Sequence, residues 1–355
     1  MKSKHIKWIG FAVLLITVAA IIVVNIIMSG RPDQAMLKGY LGGEKIGIFE
    51  DEEIGNYIKK TYGLTLNYQK AGSYDMMSLD HSKVNYLFPA SQSAFEYYKT
   101  LHGKTPKNDI IYNTPLVIYS RTKIVEALQK EGIVFERNGV FYLYMDKLAD
   151  LMLEGKTWAD VGLPELYGSV LVDTTDPASS NSGNMFAALL ANTINGGNPV
   201  NQSDLATVVP KMQTIYSKYG FMETSSADMF NQFLKKGPGA NPLVAAYENQ
   251  LLEFAVNEPK IWEAIKDDIV IIYPIPTMWS SHVYIALDEV GERGMRALAD
   301  PKVQELSWLK HGFRAGAKSA QETGRFNVAG VAPEISAVTQ MPTETVLNQL
   351  IARIR

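Results

Sequence analysis

The stretch "WIGFAVLLITVAAIIVVNIIM", from Trp8 to Met28, is expected to divide the chain between two solvents. It carries no charge, and Thr17 and Asn25 are its only clearly polar side chains. As a helix it would span roughly 30 Å, the thickness of the hydrocarbon core of a bilayer. Lys2, Lys4 and Lys7 precede it, so the N-terminus is expected in the cytoplasm and the remainder outside. A cleaved signal peptide is the alternative, but the run is longer than a usual signal core and no A-x-A follows it. We therefore read residues 1–30 as a cytoplasmic tip and single-pass membrane anchor, and 31–43, rich in glycine, as a linker. No later segment is long and apolar enough to cross again: "IVIIYPIP" (Ile269–Pro276) is short and proline-broken, like a buried strand.

The remaining chain is expected to form one extracytoplasmic unit. The 355 residues are 46% hydrophobic and 20% charged, which suits a globular fold large enough for two lobes. Cysteine is absent, which excludes thiol nucleophiles, cysteine-ligated metals, disulfides and a lipid-modified cysteine anchor. The net charge is −3 and no basic stripe alternates with aromatics, so nucleic acid is not an expected partner. The histidines, His5, His81, His102, His282 and His311, show no metal-binding spacing, so neither a metal nor a cofactor is expected. Two "GKT" tripeptides lack the glycine a phosphate-binding loop needs, since Tyr98 and Asp150 hold those positions.

From Glu44 the pattern reads β-α-β-α-β-α. "EKIGIFE" (Glu44–Glu50) is expected as a strand, "DEEIGNYIKKTYG" as a helix capped at Gly63, and "LTLNYQ" as a strand. "VNYLFPA" is expected as a strand, followed by the capped helix "SQSAFEYYKTLHG". This order implies a parallel sheet covered by helices. "IIYNTPLVIYS" (Ile110–Ser120) is β-rich, after which the pattern restarts. "SVLVDTTD" (Ser169–Asp176) is expected as a strand that feeds a polar turn and a helix. "SSHVYIAL" (Ser281–Leu287) is expected to return to the first unit. The expected architecture is α/β, with 44–118 and 283–355 as one lobe, 119–282 as the other, and two crossing segments as the hinge.

These stretches resemble the bacterial extracellular solute-binding proteins of the type II periplasmic-binding fold, the superfamily that includes sulfate and molybdate binders. The resemblance is carried by "YNTPLVIYS", "TWADVGLPELYGSVLVDTTDPASSNSGNMFAALLAN", "AAYENQLLEF", "IVIIYPIPTMWSSHVYIAL" and "DPKVQELSWLKHGFR", in that order. It implies a non-enzymatic protein that captures a small polar solute, an oxyanion among the options, by closing two lobes. Delivery to an ABC-type permease would follow in that family. The anchor departs from the family pattern and leaves a sensor, or another membrane partner, open.

The expected ligand groups lie on loops at strand ends. In "DTTDPASSNSGNMF" they are Thr174, Ser179, Ser180, Asn181 and Ser182, neutral donors at a helix N-terminus that can hold a dehydrated oxyanion. The same residue types also serve as ordinary caps. Ser73 and Tyr74 in "AGSYDMM", and Ser91 and Gln92 in "PASQSAFEYY", repeat the theme. Tyr247 is placed to close over a ligand. Glu248 would bind an amine or a metal, or else sit buried against a lysine. Glu50 and Asp51 argue against a multiply charged anion, so the signals on ligand charge conflict. The serines lack a nearby base and no G-x-S-x-G elbow occurs, so hydrolysis is disfavoured. The competing function is an anchored envelope scaffold that uses the same fold to bind proteins.

Overall fold

The computed structural model describes residues 32–237, 239–314 and 322–354. The expected membrane span Trp8–Met28 lies outside them, and among the described residues no helix is long and apolar enough to cross a membrane. The chain begins with β1 (Ala35–Leu41), a 3₁₀ turn (Gly43–Lys45), α1 (Ile46–Glu50), α2 (Glu52–Tyr62), β2 (Leu64–Lys70), β3 (Tyr86–Phe88) and α3 (Gln92–His102). A long strand, β4 (Asn108–Arg121), leads to α4 (Thr122–Lys130), the hairpin β5 (Val134–Arg137) and β6 (Val140–Tyr144), and α5 (Met145–Glu154). Then come α6 (Asn181–Ile194), α7 (Leu205–Tyr216), α8 (Ser226–Lys235), β7 (Val244–Tyr247), α9 (Glu248–Asn257), α10 (Pro259–Ile265) and β8 (Ile269–Ile275). The last elements are β9 (Trp279–Ala286), α11 (Glu289–Leu298), α12 (Pro301–His311) and α13 (Glu344–Ile354).

The strands run in the order β2-β1-β3-β9-β4-β8-β6-β5, with β7 added to β4. β1 pairs in parallel with β2 and β3, as the β-α-β order requires, while β9 is antiparallel to β3 and β4. β4 belongs to both halves. Its first part, to Pro115, pairs with β9, and from Leu116 onward it pairs with β7 and β8. Side chains alternate across each sheet and fill two layers per half. In the first half Tyr86, Phe88 and Tyr284 face α1, α2 and α12, while Leu87, Val283 and Ile285 face α3. In the second half Leu116, Ile118 and Ile272 face the layer of α5 to α7, while Val117, Tyr119 and Ile271 face α8 and α9.

Local signals set the helix ends. Asp51 accepts a hydrogen bond from the Ile54 N–H at 2.9 Å, and Gly63 closes α2 in the left-handed conformation at φ 66°. Ser91 caps α3 in the same manner, and Gly103 ends it.

Several stretches fold otherwise than expected. The stretch 31–43, expected as linker, contains β1, a central strand of the first sheet, and Glu44–Glu50, expected as a strand, forms the 3₁₀ turn and α1 instead. The glycines of the first hid a strand, and the second is a short apolar run, in which periodicity does not separate a buried strand from a buried helical turn. Ser169–Asp176 forms only isolated bridges, Thr157 with Ser169 and Asp173 with Val244. The chain passes between the two halves at three places. Beside Pro115–Leu116 and Thr277–Trp279, the chain passes once more at Gly312–Arg314, where Asn113 and Arg314 exchange backbone hydrogen bonds of 2.9 Å. Residues 326–354 therefore pack on the second half: Phe326, Val328 and Val331 lie against β8, and Val346, Leu350 and Ile354 against α6 and α7. An amphipathic helix declares that it has a partner, not which partner, so α13 was assignable to either half.

Candidate functional site

Between the halves lies a cavity of about 340 Å³, at the low end of the range of small-molecule sites. Loops beyond the carboxyl ends of β1, β2 and β3 form one wall, where ligands of open α/β sheets bind. They contribute Gly42 to Glu44, Lys70 to Ser73 with Asp75, and Ala90. The opposite wall is the start of α6 (Ser180, Asn181), the start of α8 (Thr224 to Ser226 with Asp228) and Tyr247 at the end of β7.

The turn into α6 is held by its own hydroxyls. Thr175 Oγ1 lies 2.9 Å from Ser180 Oγ and 2.7 Å from Ser182 Oγ. The turn packs directly on the helix: a Cβ at Gly183 would stand 2.0 Å from the Thr175 carbonyl oxygen, so only glycine fits. Ser180 is the N-cap, yet its side chain makes no hydrogen bond to the helix start. The leading amides of α6 are thus left for other partners.

The two halves touch across the cavity. Asn181 Nδ2 donates to the Ala90 carbonyl at 3.0 Å and to Tyr247 Oη at 2.9 Å. Tyr74 Oη donates to Asn184 Oδ1 at 3.3 Å, and Lys70 approaches Asp228 at 3.4 Å. Gly72 faces Ser179 so closely that a Cβ there would lie 2.8 Å from the Ser179 carbonyl oxygen.

Behind the first wall lies a buried polar chain that sequence reasoning missed. Lys45 is 0% exposed and bonds Glu44, which lines the cavity. Burial lowers the Lys45 pKa, and the Glu44 carboxylate opposes that shift. Burial first, and the Lys45 ammonium second, pull His282 well below its usual range, so its ring is neutral. An ammonium can only donate, which assigns Nδ1 of His282 as acceptor from Lys45 at 3.0 Å. Nε2–H then faces Ser280 Oγ at 3.2 Å, and Ser280 donates to the Ala90 carbonyl at 2.6 Å. That carbonyl therefore accepts from both halves.

Four of the expected ligand residues, Ser73, Ser180, Asn181 and Tyr247, line the cavity together. Burial raises the Tyr247 hydroxyl far above its usual pKa, with Glu44 adding to the effect, so it remains a neutral donor. Ser73 Oγ accepts from the Ala90 N–H at 2.9 Å and sets the loop. Thr174, Ser179 and Ser182 are not among the residues of the cavity wall. Four others lie elsewhere in the structure. Tyr74 lines a neighbouring cavity beside Asn184 and Ile351. Ser91 serves as the α3 cap, and with Gln92 it faces a separate cavity lined by Trp279 and Met185. Glu248 points away from the cleft and is fully buried against Arg314, with Nε–Oε2 and Nη2–Oε1 distances of 2.7 and 2.8 Å. Tyr273 donates to the same carboxylate at 2.5 Å. Desolvation works against the charge on Arg314, and the Glu248 carboxylate more than restores it. The cation that pairs Glu248 comes from the third crossing and is an arginine, not the expected lysine.

No family model matches the chain, and no curated protein does. Solved structures do resemble it. The apo ferric ion-binding protein A of Pasteurella haemolytica has a TM-score of 0.55 at 10% identity, over 90% of this chain and 95% of that one. The substrate binding protein of an ABC transporter from Agrobacterium tumefaciens has a TM-score of 0.54 at 11% identity, over 92% and 96%. The sulfate-binding protein SubI of Mycobacterium tuberculosis has a TM-score of 0.51 at 12% identity, over 80% and 87%. The fold is that of the type II periplasmic binding proteins.

Proposed function

We propose that this chain is a solute-binding protein that captures a small polar solute between its two halves, without covalent chemistry. Residues 35–115 with 277–311 act as one lobe, and 116–237, 239–276, 314 and 322–354 as the other. In this reading Trp8–Met28 anchors the protein and the lobes work outside the membrane, delivering the solute to an ABC-type permease or signalling its presence to another membrane partner. The observation that carries it is a polar cavity closed by groups from both lobes: Asn181 of one bonds the Ala90 carbonyl of the other at its wall. The likeness to solved solute-binding structures supports the same reading. So does the serine chemistry, since Ser180 and Ser182 bond Thr175 and each other rather than a base.

A thermal-shift screen tests it. A ligand at a hundred times its dissociation constant stabilises by about 2.7 kcal/mol, a readily measured rise in melting temperature. We expect such a rise with at least one member of a panel of oxyanions, metal ions, sugars, polyamines and amino acids. An unchanged melting temperature across the whole panel would refute capture.

A further inference from the structure

If the halves close on a solute, as proposed above, the bond from Asn181 Nδ2 to the Ala90 carbonyl must form and break in every cycle, since it joins opposite walls of the cavity. The two residues are 5% and 1% exposed. Such a bond favours closure most when its acceptor is already aimed, because ordering a loop at the moment of contact costs entropy.

Ala90 lies between the end of β3 and the Ser91 cap of α3, in no regular element, so side chains hold its backbone. Its N–H donates to Ser73 Oγ at 2.9 Å, and its carbonyl accepts from Ser280 Oγ at 2.6 Å. A carbonyl has two lone pairs, so the second is left for Asn181. Ser280 has one proton and two neighbours that can take it: the Ala90 carbonyl and Nε2 of His282, 3.2 Å away. With Nε2 protonated, the ring donates to Ser280 and the serine proton goes to Ala90. In the other tautomer Nε2 would draw that proton, and a serine lone pair would face the carbonyl. Lys45 selects the first arrangement, because its ammonium donates to Nδ1 at 3.0 Å and is itself held by Glu44.

The surroundings fix this chain in place. Lys45, Ser280 and His282 are all 0% exposed. His282 stands edge-to-face with Phe313 and with Tyr247 of the opposite lobe, at centroid distances of 5.1 and 6.2 Å, and Lys45 lies over the Phe88 ring. A buried ion pair is a poor means of stabilising a lobe, since apolar residues of like volume do as well. A satisfied polar network does set direction, and here the direction it sets is that of one hydroxyl.

We propose that Ser280 is a positioning residue for capture, with His282 and Lys45 orienting its hydroxyl: it aims the Ala90 carbonyl so that Asn181 clamps the lobes before a solute arrives.

The test needs no solute. The chain has no cysteine, so Gln69→Cys and Lys235→Cys, at exposed positions on opposite lobes, carry two spin labels and no others. Distance measurement by electron spin resonance on the full-length chain in detergent then gives the ratio of closed to open molecules. We expect the ligand-free parent to populate the shorter separation, and Ser280→Ala and Asn181→Ala each to lower the ratio by about fivefold. Because the serine acts through the clamp, the double variant should fall no further than Asn181→Ala alone, whereas an independent structural loss would multiply. Should Ser280→Ala not fold, Ser73→Ala repeats the cycle at the other backbone group of Ala90. A ligand-free parent seen only at the longer separation, a ratio untouched by the serine variants, or multiplying effects in the double variant would overturn the inference. Each of these leaves capture standing, since the thermal screen decides that reading separately.

Discussion

Closure across Gly72 gives the sharpest test of how the cleft works. In the structure the position of a Cβ on Gly72 is 2.8 Å from the Ser179 carbonyl oxygen of the opposite lobe. Ordinary contacts of this kind begin near 3.4 Å, so Gly72→Ala forces the lobes apart by about 0.6 Å at this point. The Asp75 carboxylate, 2.6 Å from the same position, can rotate away, but the Ser179 carbonyl is backbone and belongs to the turn into α6. Overpacking of this size costs roughly 1–3 kcal/mol. Gly72 is not among the residues with positive φ, so alanine suits its backbone and the cost falls on the closed form alone. Affinity for any solute that requires closure should therefore drop by roughly 5- to 150-fold. Ligand-free melting should hold or rise slightly, because alanine restricts the unfolded chain by about 0.4–1 kcal/mol. The assay is titration with a solute found in the screen, paired with small-angle scattering of the saturated protein. A Gly72→Ala variant that binds and compacts like the parent would refute the argument. So would one whose melting temperature falls in step with its affinity, since the cost would then not be confined to closure.

Two further outcomes concern the frame around the cleft. Arg314→Ala should destabilise the protein by about 3–5 kcal/mol in urea unfolding, because it strands the Glu248 carboxylate in a fully buried site. Asp173 behaves in the opposite sense: burial raises its carboxyl to about 6, with the Asn241 amide opposing. Its folded pKa lies above its unfolded one, so its stabilising contribution is complete below about pH 4 and is lost as pH rises through 6. Asp173→Asn should flatten the stability profile over that window and stabilise the protein at pH 7.5 by on the order of 3 kcal/mol, read by denaturation at several pH values.

Much of the fold was legible because local signals agree with it. The cap pair Asp51 and Gly63 delimits α2, and the alternation of "LTLNYQ" gives β2. The serine- and asparagine-rich turn was legible as a helix entry, and Ser180 and Asn181 do reach the cavity. What failed depends on distant partners. "AMLKGYL" reads as linker because glycine and lysine interrupt it, yet it pairs with two strands and buries Leu37 and Leu41. Lys45 looks like a surface lysine and is fully buried, since its partners are its neighbour Glu44 and, 237 residues away, His282. The destination of Glu248 depended on an arginine in the third crossing. Asp75 and Asp228 carry no sequence signal of their own, since a carboxylate near a helix start has an ordinary capping use. Only coordinates set them against the same cavity.

The third crossing also bears on how the protein is made. Arg314 meets Glu248 from 66 residues further along the chain. At about 5–20 residues per second, the carboxylate emerges roughly 3–13 seconds before its guanidinium. During that interval the layer over β8 also lacks Phe326 and Val328, and α6 and α7 lack the helix that covers them. The half built from 116–276 is therefore completed by residues 314 and 322–354. A chain cut short after α12 would leave the buried Glu248 carboxylate without its cation.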